Sequence, residues 1–314
     1  MSKLAVVAFG GNALLRGDEI GTIEQQEKNT YDTCINLIPL LENNYDLIIT
    51  HGNGPQVGNI LLRNEAGYEK YKIPRMPLDI CVADSQGGIG YMIERQMFNV
   101  LKDKGLTKNI VTIVTEVVVD KNDPAFENPT KPVGAFYLKE EAELLAKAND
   151  WIFKEDPRKR GWRRVVPSPK PLDVFNKEVI AELSRAGKIV IAVGGGGVPV
   201  FYDENGNLQR VEAVIDKDLA SSLLASQINA DEFIILTDVP KVFINFNTPQ
   251  QKALETVTVS EALKYLDEGQ FAAGSMKPKV EAAINFVTNG GKQAIITEAK
   301  ELGKENAGTR IVAD

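Results

Sequence analysis

Lysines at the start of helical patterns, and glycine pairs at the ends of apolar runs, are the residues of this chain that could do chemistry. Val214-Ile215-Asp216-Lys217-Asp218 and Gly274-Ser275-Met276-Lys277-Pro278-Lys279 each open a helix-period segment. A cation at a helix N-terminus opposes the macrodipole, so two cases in one chain need a reason. One reason is solvent exposure, with Asp216 and Ser275 as N-caps. The other is a phosphate chain facing both helix starts, with Lys217 and Lys277 neutralising charge on a transferring phosphoryl group. Asp216 would then hold the ammonium groups in place.

The glycines point the same way. Phe9-Gly10-Gly11-Asn12-Ala13 closes one apolar run and Thr50-His51-Gly52-Asn53-Gly54-Pro55-Gln56 closes another. Without a Cβ the backbone can approach a ligand closely and aim N–H groups at anionic oxygens. Pro55 suits a first helical position, which puts Asn53 and Gly54 at a helix start, where free N–H groups and the dipole favour an anion. A third turn, Gly194-Gly195-Gly196-Gly197, is boxed between apolar segments and predicts close approach to a ligand or to another loop. None of these turns fits the dinucleotide fingerprint or the P-loop. The single histidine, His51, has no thiol or paired acid beside it in sequence; it is read as a wall of the site, not as part of a triad or a zinc centre.

The elements that must position these residues alternate. Continuous apolar runs at Leu4–Phe9, Leu47–Thr50, Ile110–Val119, Ile189–Val193, Phe233–Thr237 and Gln293–Thr297 read as strands covered on both faces. Helical periodicity occupies Ile23–Glu42, Gln56–Asn64, Leu78–Lys104, Lys217–Ile228, Val259–Asp267 and Pro278–Val287. Strand–helix–strand repetition predicts an α/β fold, a three-layer αβα sandwich on a mainly parallel sheet, with ligands beyond the carboxyl ends of the strands. Residues 120–171 break the rhythm with seven prolines, at 124, 129, 132, 157, 167, 169 and 171. This stretch is expected to be a small protruding subdomain inserted in a single 314-residue domain, with a helix over Lys139–Ala148. Its basic run Lys154–Lys170 reads either as a solvated loop or as a lid that carries charge to an anionic ligand.

A formal net charge of −7 opposes non-specific nucleic-acid binding. No apolar run is long enough to span a bilayer and no signal-peptide pattern opens the chain, so a cytoplasmic protein with no membrane partner is expected. Cys34 and Cys81 read as reduced packing residues inside helices.

Several blocks, taken in order, resemble the carbamate kinases of the amino-acid kinase superfamily. They are Ala8–Leu14, His51–Gly58, Asn128–Pro132, Val166–Pro171, Gly194–Gly197, Ala213–Asp218, Leu236–Val239 and Ala273–Lys279, and together they cover nearly the whole chain. The resemblance implies the amino-acid kinase fold, a homodimer, and magnesium-dependent interconversion of ATP plus carbamate with ADP plus carbamoyl phosphate. It also implies use in making ATP during arginine or related nitrogen catabolism. Related kinases carry a lysine two residues before the first glycine pair; Ala8 stands there in this chain. In carbamate kinases that charge comes from the protruding subdomain, and the matching residue is Lys131. On this resemblance, Lys131, Lys217, Lys277 and Asp216 are catalytic, and Gly10, Gly11, Asn12, Gly52, Asn53 and Gly54 hold the carbamoyl phosphate side. The nucleotide would lie over the C-terminal half, about 188–314, against Gly195, Gly196, Asp238, Phe243, Ala273, Gly274, Ser275 and Met276. No metal ligand is assigned. The alternatives are a kinase for another small acid or phosphate, such as acetylglutamate or isopentenyl phosphate, and a non-catalytic nucleotide or amino-acid sensor on the same fold.

Overall fold

The computed structural model describes residues 2–17, 19–156, 159–304 and 306–314. Pro157 and Arg158 of the proline-rich, basic stretch lie outside the described residues, as does the side chain of Asn12.

An eight-stranded sheet runs through the molecule in the order Thr256–Thr258, Thr309–Val312, Gln293–Glu298, Glu232–Thr237, Lys3–Phe9, Tyr45–His51, Ile189–Ile191, Ile110–Thr112. Every neighbouring pair is parallel except Gln293–Glu298 with Thr309–Val312. Side chains alternate across a strand, and the central one divides accordingly. Leu4, Val6 and Ala8 face a core shared with Leu224 and Ala283 of the helices Lys217–Gln227 and Met276–Thr288. Ala5, Val7 and Phe9 face the opposite core, with Cys34 of Ile23–Ile35 and Ile93 and Met97 of Leu78–Asp103. The fold is therefore the expected three-layer α/β sandwich.

Two expected elements divide. The run Ile110–Val119 is two strands in different sheets, Ile110–Thr112 and Glu116–Val119. Thr115 makes the break: its hydroxyl donates to Ile113 O at 2.8 Å and accepts from Val193 N at 3.0 Å, while Gln86 brackets its backbone on both sides. The run Ile23–Glu42 is two helices, Ile23–Ile35 and Ile38–Glu42, because Pro39 lacks the N–H that a continuous helix would need and is tolerated only in a first turn. The helix Lys177–Arg185 and the hairpin Val198–Tyr202 with Leu208–Arg210 complete the central region.

The proline-rich stretch has its own structure. Lys131–Tyr137, Trp162–Val166 and Ile152–Glu155 form a separate antiparallel three-stranded sheet with Trp162–Val166 in the middle, and the helix Lys139–Asn149 packs on it. It returns to the body through Pro171–Val174, which pairs with Glu116–Val119.

Candidate active site

Parallel strands bring their carboxyl ends to one edge, and the loops that follow them line a cleft of about 1100 Å³. That exceeds the ~300–1,000 Å³ of an ordinary small-ligand pocket and leaves room for two substrates. Gly10, Gly11, Gly52, Asn53, Gly54, Gly195, Asp238, Gly274 and Ser275 all line it, as do Lys131, Asp216 and Lys217.

Glycine is required where loops touch. A Cβ on Gly10 would stand 2.4 Å from Leu236 O, so that turn closes directly on the neighbouring strand end. Gly195 and Gly196 have φ +65 and +95, and their Cβ positions fall 2.1 Å from Asn53 Nδ2 and 2.5 Å from Ile215 O. The four-glycine run thus lets one loop press against two others, while Gly195 also lines the cleft. Asn53 is buried and turned inward, donating to Ser85 Oγ at 2.8 Å, so much of its amide is spent on fixing the loop. His51 is 1% exposed and its Nδ1–H donates to Gly52 O at 2.9 Å. Desolvation lowers its pKa to about 4 despite that hydrogen bond, with the Lys217 charge adding to the effect. The ring is therefore neutral, and it buttresses the loop instead of moving protons.

Charge concentrates at the start of Lys217–Gln227. Asp216 caps this helix, accepting from Asp218 N at 3.0 Å and Leu219 N at 3.4 Å, and its other oxygen receives Lys131 Nζ at 3.0 Å. Lys131 reaches it from the separate three-stranded sheet, 85 residues away in sequence. Asp218 is 3% exposed and sits between two ammonium groups, Lys217 at 2.5 Å and Lys279 at 2.9 Å. Burial opposes its ionisation, but the two lysines outweigh that and hold the carboxyl at about 2. Burial likewise pulls the Lys217 pKa down against the attraction of Asp218. The pair of cations is thus fixed by one buried carboxylate and presented to the cleft.

Lys277 is not part of this array. It is exposed beside Glu281, at 3.8 Å, and does not line the cleft, whereas Lys279 does. Helical geometry separates the two by about 200°. Lys279 shares its face with Ala283 and Phe286, both buried, and that i, i+4, i+7 pattern was the available signal for it. Asp218 carried no such signal; only its position between two lysines from different helices reveals it. Of the expected nucleotide residues, Gly196 lies behind the cleft against Ile215. Phe243 packs on Phe246 with ring centroids 6.1 Å apart, Met276 packs into the core, and neither these nor Ala273 line the cleft.

Residues 3–298 match the amino acid kinase family model. Curated carbamate kinases of Pyrococcus furiosus and Oenococcus oeni are 49% and 50% identical, over 99% of this chain and 100% and 99% of theirs. A solved carbamate kinase from Giardia lamblia bound to AMP-PNP superposes with a TM-score of 0.93 at 45% identity, covering 100% of this chain and 99% of that one. The chain belongs to the amino acid kinase family, among its carbamate kinases. It is accordingly a phosphotransferase.

Proposed function

We propose that this chain transfers a phosphoryl group reversibly between ATP and carbamate, giving ADP and carbamoyl phosphate, and that it works chiefly to make ATP, in arginine or related nitrogen catabolism. The observation that carries the reading is the pair of clamps in one two-substrate cleft, Lys131–Asp216 and Lys217–Asp218–Lys279. A phosphoryl group in flight is a loose, highly charged species, so catalysis needs positioned cations more than covalent chemistry. Carbamate is already anionic at oxygen and requires no general base, which suits a site whose one histidine is buried and neutral.

In this mechanism Gly10, Gly11, Asn12, Gly52 and Gly54 hold carbamate through backbone N–H groups, with Asn53 fixing the loop. The nucleotide lies against Gly195, Asp238, Gly274 and Ser275 on the C-terminal side. Residues 120–171 act as a lid whose Lys131 supplies the charge that Ala8 does not. Lys217 and Lys279, held by Asp218, stabilise the equatorial oxygens, and alignment with exclusion of water supplies much of the acceleration. No three carboxylate, imidazole or thiol groups gather into a metal site among the described residues. The donor set therefore suits a magnesium ion carried mainly by the nucleotide phosphates, where it neutralises charge.

The homodimer is proposed to form on the helix Leu78–Asp103. Ile80, Tyr91 and Phe98 lie on its exposed face, at 42%, 62% and 59% exposure, with Gly87 between them allowing close approach. Sedimentation should give a dimer that Tyr91→Asp converts to monomer; a monomeric parent protein would remove this proposal. No helix among the described residues is long and apolar enough to cross a membrane. The cytoplasmic setting is part of the proposal, and two free, buried cysteines suit a reducing compartment.

The reaction is tested by ATP synthesis from ADP, magnesium and carbamoyl phosphate, with Lys131→Ala beside the parent protein. Rapid synthesis, reduced about a hundredfold in the variant, is expected. A folded, ADP-binding protein that makes no ATP would transfer the reading to another small-acid kinase.

A further inference from the structure

Beside the catalytic cleft lies a second cavity, of about 450 Å³, between the helix Gly54–Tyr71, the loop before Leu78 and the separate three-stranded sheet. We propose that this cavity is a binding site for a small organic anion with an aromatic or branched apolar body, and that its occupancy sets the position of the strand carrying Lys131.

Its size falls within the range that encloses a small molecule, and its walls are those of such a site. Leu61, Met76 and Val133 give an aliphatic floor, while Tyr137, Trp151 and Phe153 give flat aromatic surface. Three guanidinium groups, Arg75, Arg164 and Arg210, line it with two carboxylates, Glu65 and Glu212, and each guanidinium has an acidic partner, Arg210 through Asp79 at its edge. Arg75 is already committed, its Nε 3.0 Å from both oxygens of Glu65, and Arg210 lies largely in solvent, 3.5 Å from Asp79.

Arg164 is the recognising group. It is 9% exposed overall and stacks on the Trp151 ring at 4.1 Å. Its carboxylate partner Glu212 has a side chain 54% exposed and reaches in from solvent. A ligand carboxylate can take that place while Glu212 returns to water at little cost, because the Arg164 guanidinium is already desolvated and fixed. The apolar body would then lie against Trp151 and Val133. Burial already holds the Arg164 pKa down to about 10, a sign of how little solvent compensates this charge.

The coupling is geometric. Leu62, Val133 and Gly134 line both this cavity and the catalytic cleft, and Gly134 is three residues from Lys131 on the same strand. Gly134 has φ +72 and stands 3.7 Å, at its Cα, from the Cβ position of Gly58, so strand and helix meet there without an intervening side chain. Pairing with Trp162–Val166 is irregular just beyond, between Val133 and Tyr137. A body wedged against Val133 and Tyr137 acts at this pivot, and Lys131 lies at its other end.

The binding arm of the test requires no turnover, so it stands or falls separately from the proposed reaction. In Trp162→Phe protein Trp151 is the sole tryptophan. The probe is 3-phenylpropionate, with 3-phenylpropionamide as its uncharged control. Expected are a saturable change in Trp151 emission that saturating ADP does not displace, and at least tenfold weaker binding of the amide. Arg164→Met should weaken the carboxylate at least tenfold, and the parent protein should show a shift of threefold or more in the KM for carbamoyl phosphate when the probe is saturating. No saturable emission change, displacement by ADP, or equal binding of acid and amide would each overturn the site. Binding with unchanged KM and kcat would overturn the coupling.

Discussion

Lys279→Ala and Lys277→Ala separate the structural reading from the sequence reading, because the two lysines stand two residues apart and face different directions. Lys279 is 13% exposed at its side chain and holds Asp218 Oδ2 at 2.9 Å; Lys277 is 46% exposed and lies 3.8 Å from Glu281. Removing one preorganised charge from a transition-state clamp typically lowers turnover by about 10²–10³-fold. Lys279→Ala should therefore reduce kcat by at least a hundredfold, and Lys277→Ala by less than threefold. Stability should follow the same order. Loss of Lys279 leaves Asp218 buried with one ammonium instead of two, a penalty of about 1–3 kcal/mol for an under-satisfied buried group. At the ~2–4 °C per kcal/mol seen in domains of a few hundred residues, Tm should fall by several degrees. Lys277→Ala removes an exposed i, i+4 pair, a contribution of roughly 0.3–0.5 kcal/mol at most. Steady-state ATP synthesis and thermal melts on both variants decide it. Near-normal turnover in Lys279→Ala, or an equal loss in Lys277→Ala, would refute the assignment.

Acid stability should depend on the single histidine. The folded His51 pKa is lowered from 6.5 to about 4, so the unfolded chain binds more protons below pH 6.5, and stability present above that pH is lost as pH falls toward 4. Between pH 7 and 5 urea unfolding should register a loss of about 2 kcal/mol that His51→Gln abolishes; an unchanged loss in the variant would place its origin elsewhere. Both thiols should resist modification in the native protein, because Cys34 and Cys81 are fully buried and burial pushes their pKa up to about 12 and about 11. An aromatic disulfide reagent should label neither in buffer and both in denaturant, and fast native labelling would contradict that burial.

The amino-acid sequence by itself determined the architecture and which turns line the cleft, because both rest on local signals. Short continuous apolar runs such as Leu4–Phe9, rich in β-branched residues and closed by glycine, read as strands covered on two faces, and the glycine turns at Gly10 and Gly52 follow directly from where those runs end. Parallel strands then place those turns on one edge, with Lys217 beside them, whatever the details of packing. Three things were decided only in three dimensions. The break at Thr115 depends on Gln86, 29 residues earlier, gripping its backbone, and no local propensity encodes that grip. The four glycines of 194–197 are required by His51, Asn53, Ile215 and Val117 in turn, which approach them from other elements. Which of Lys277 and Lys279 reaches the cleft, and the seat of Asp218 between Lys217 and Lys279, depend on how the helices Lys217–Gln227 and Met276–Thr288 rotate against each other. That rotation is set by the buried side chains of both helices together, whereas the motif that contains the two lysines is the same string of residues in either case.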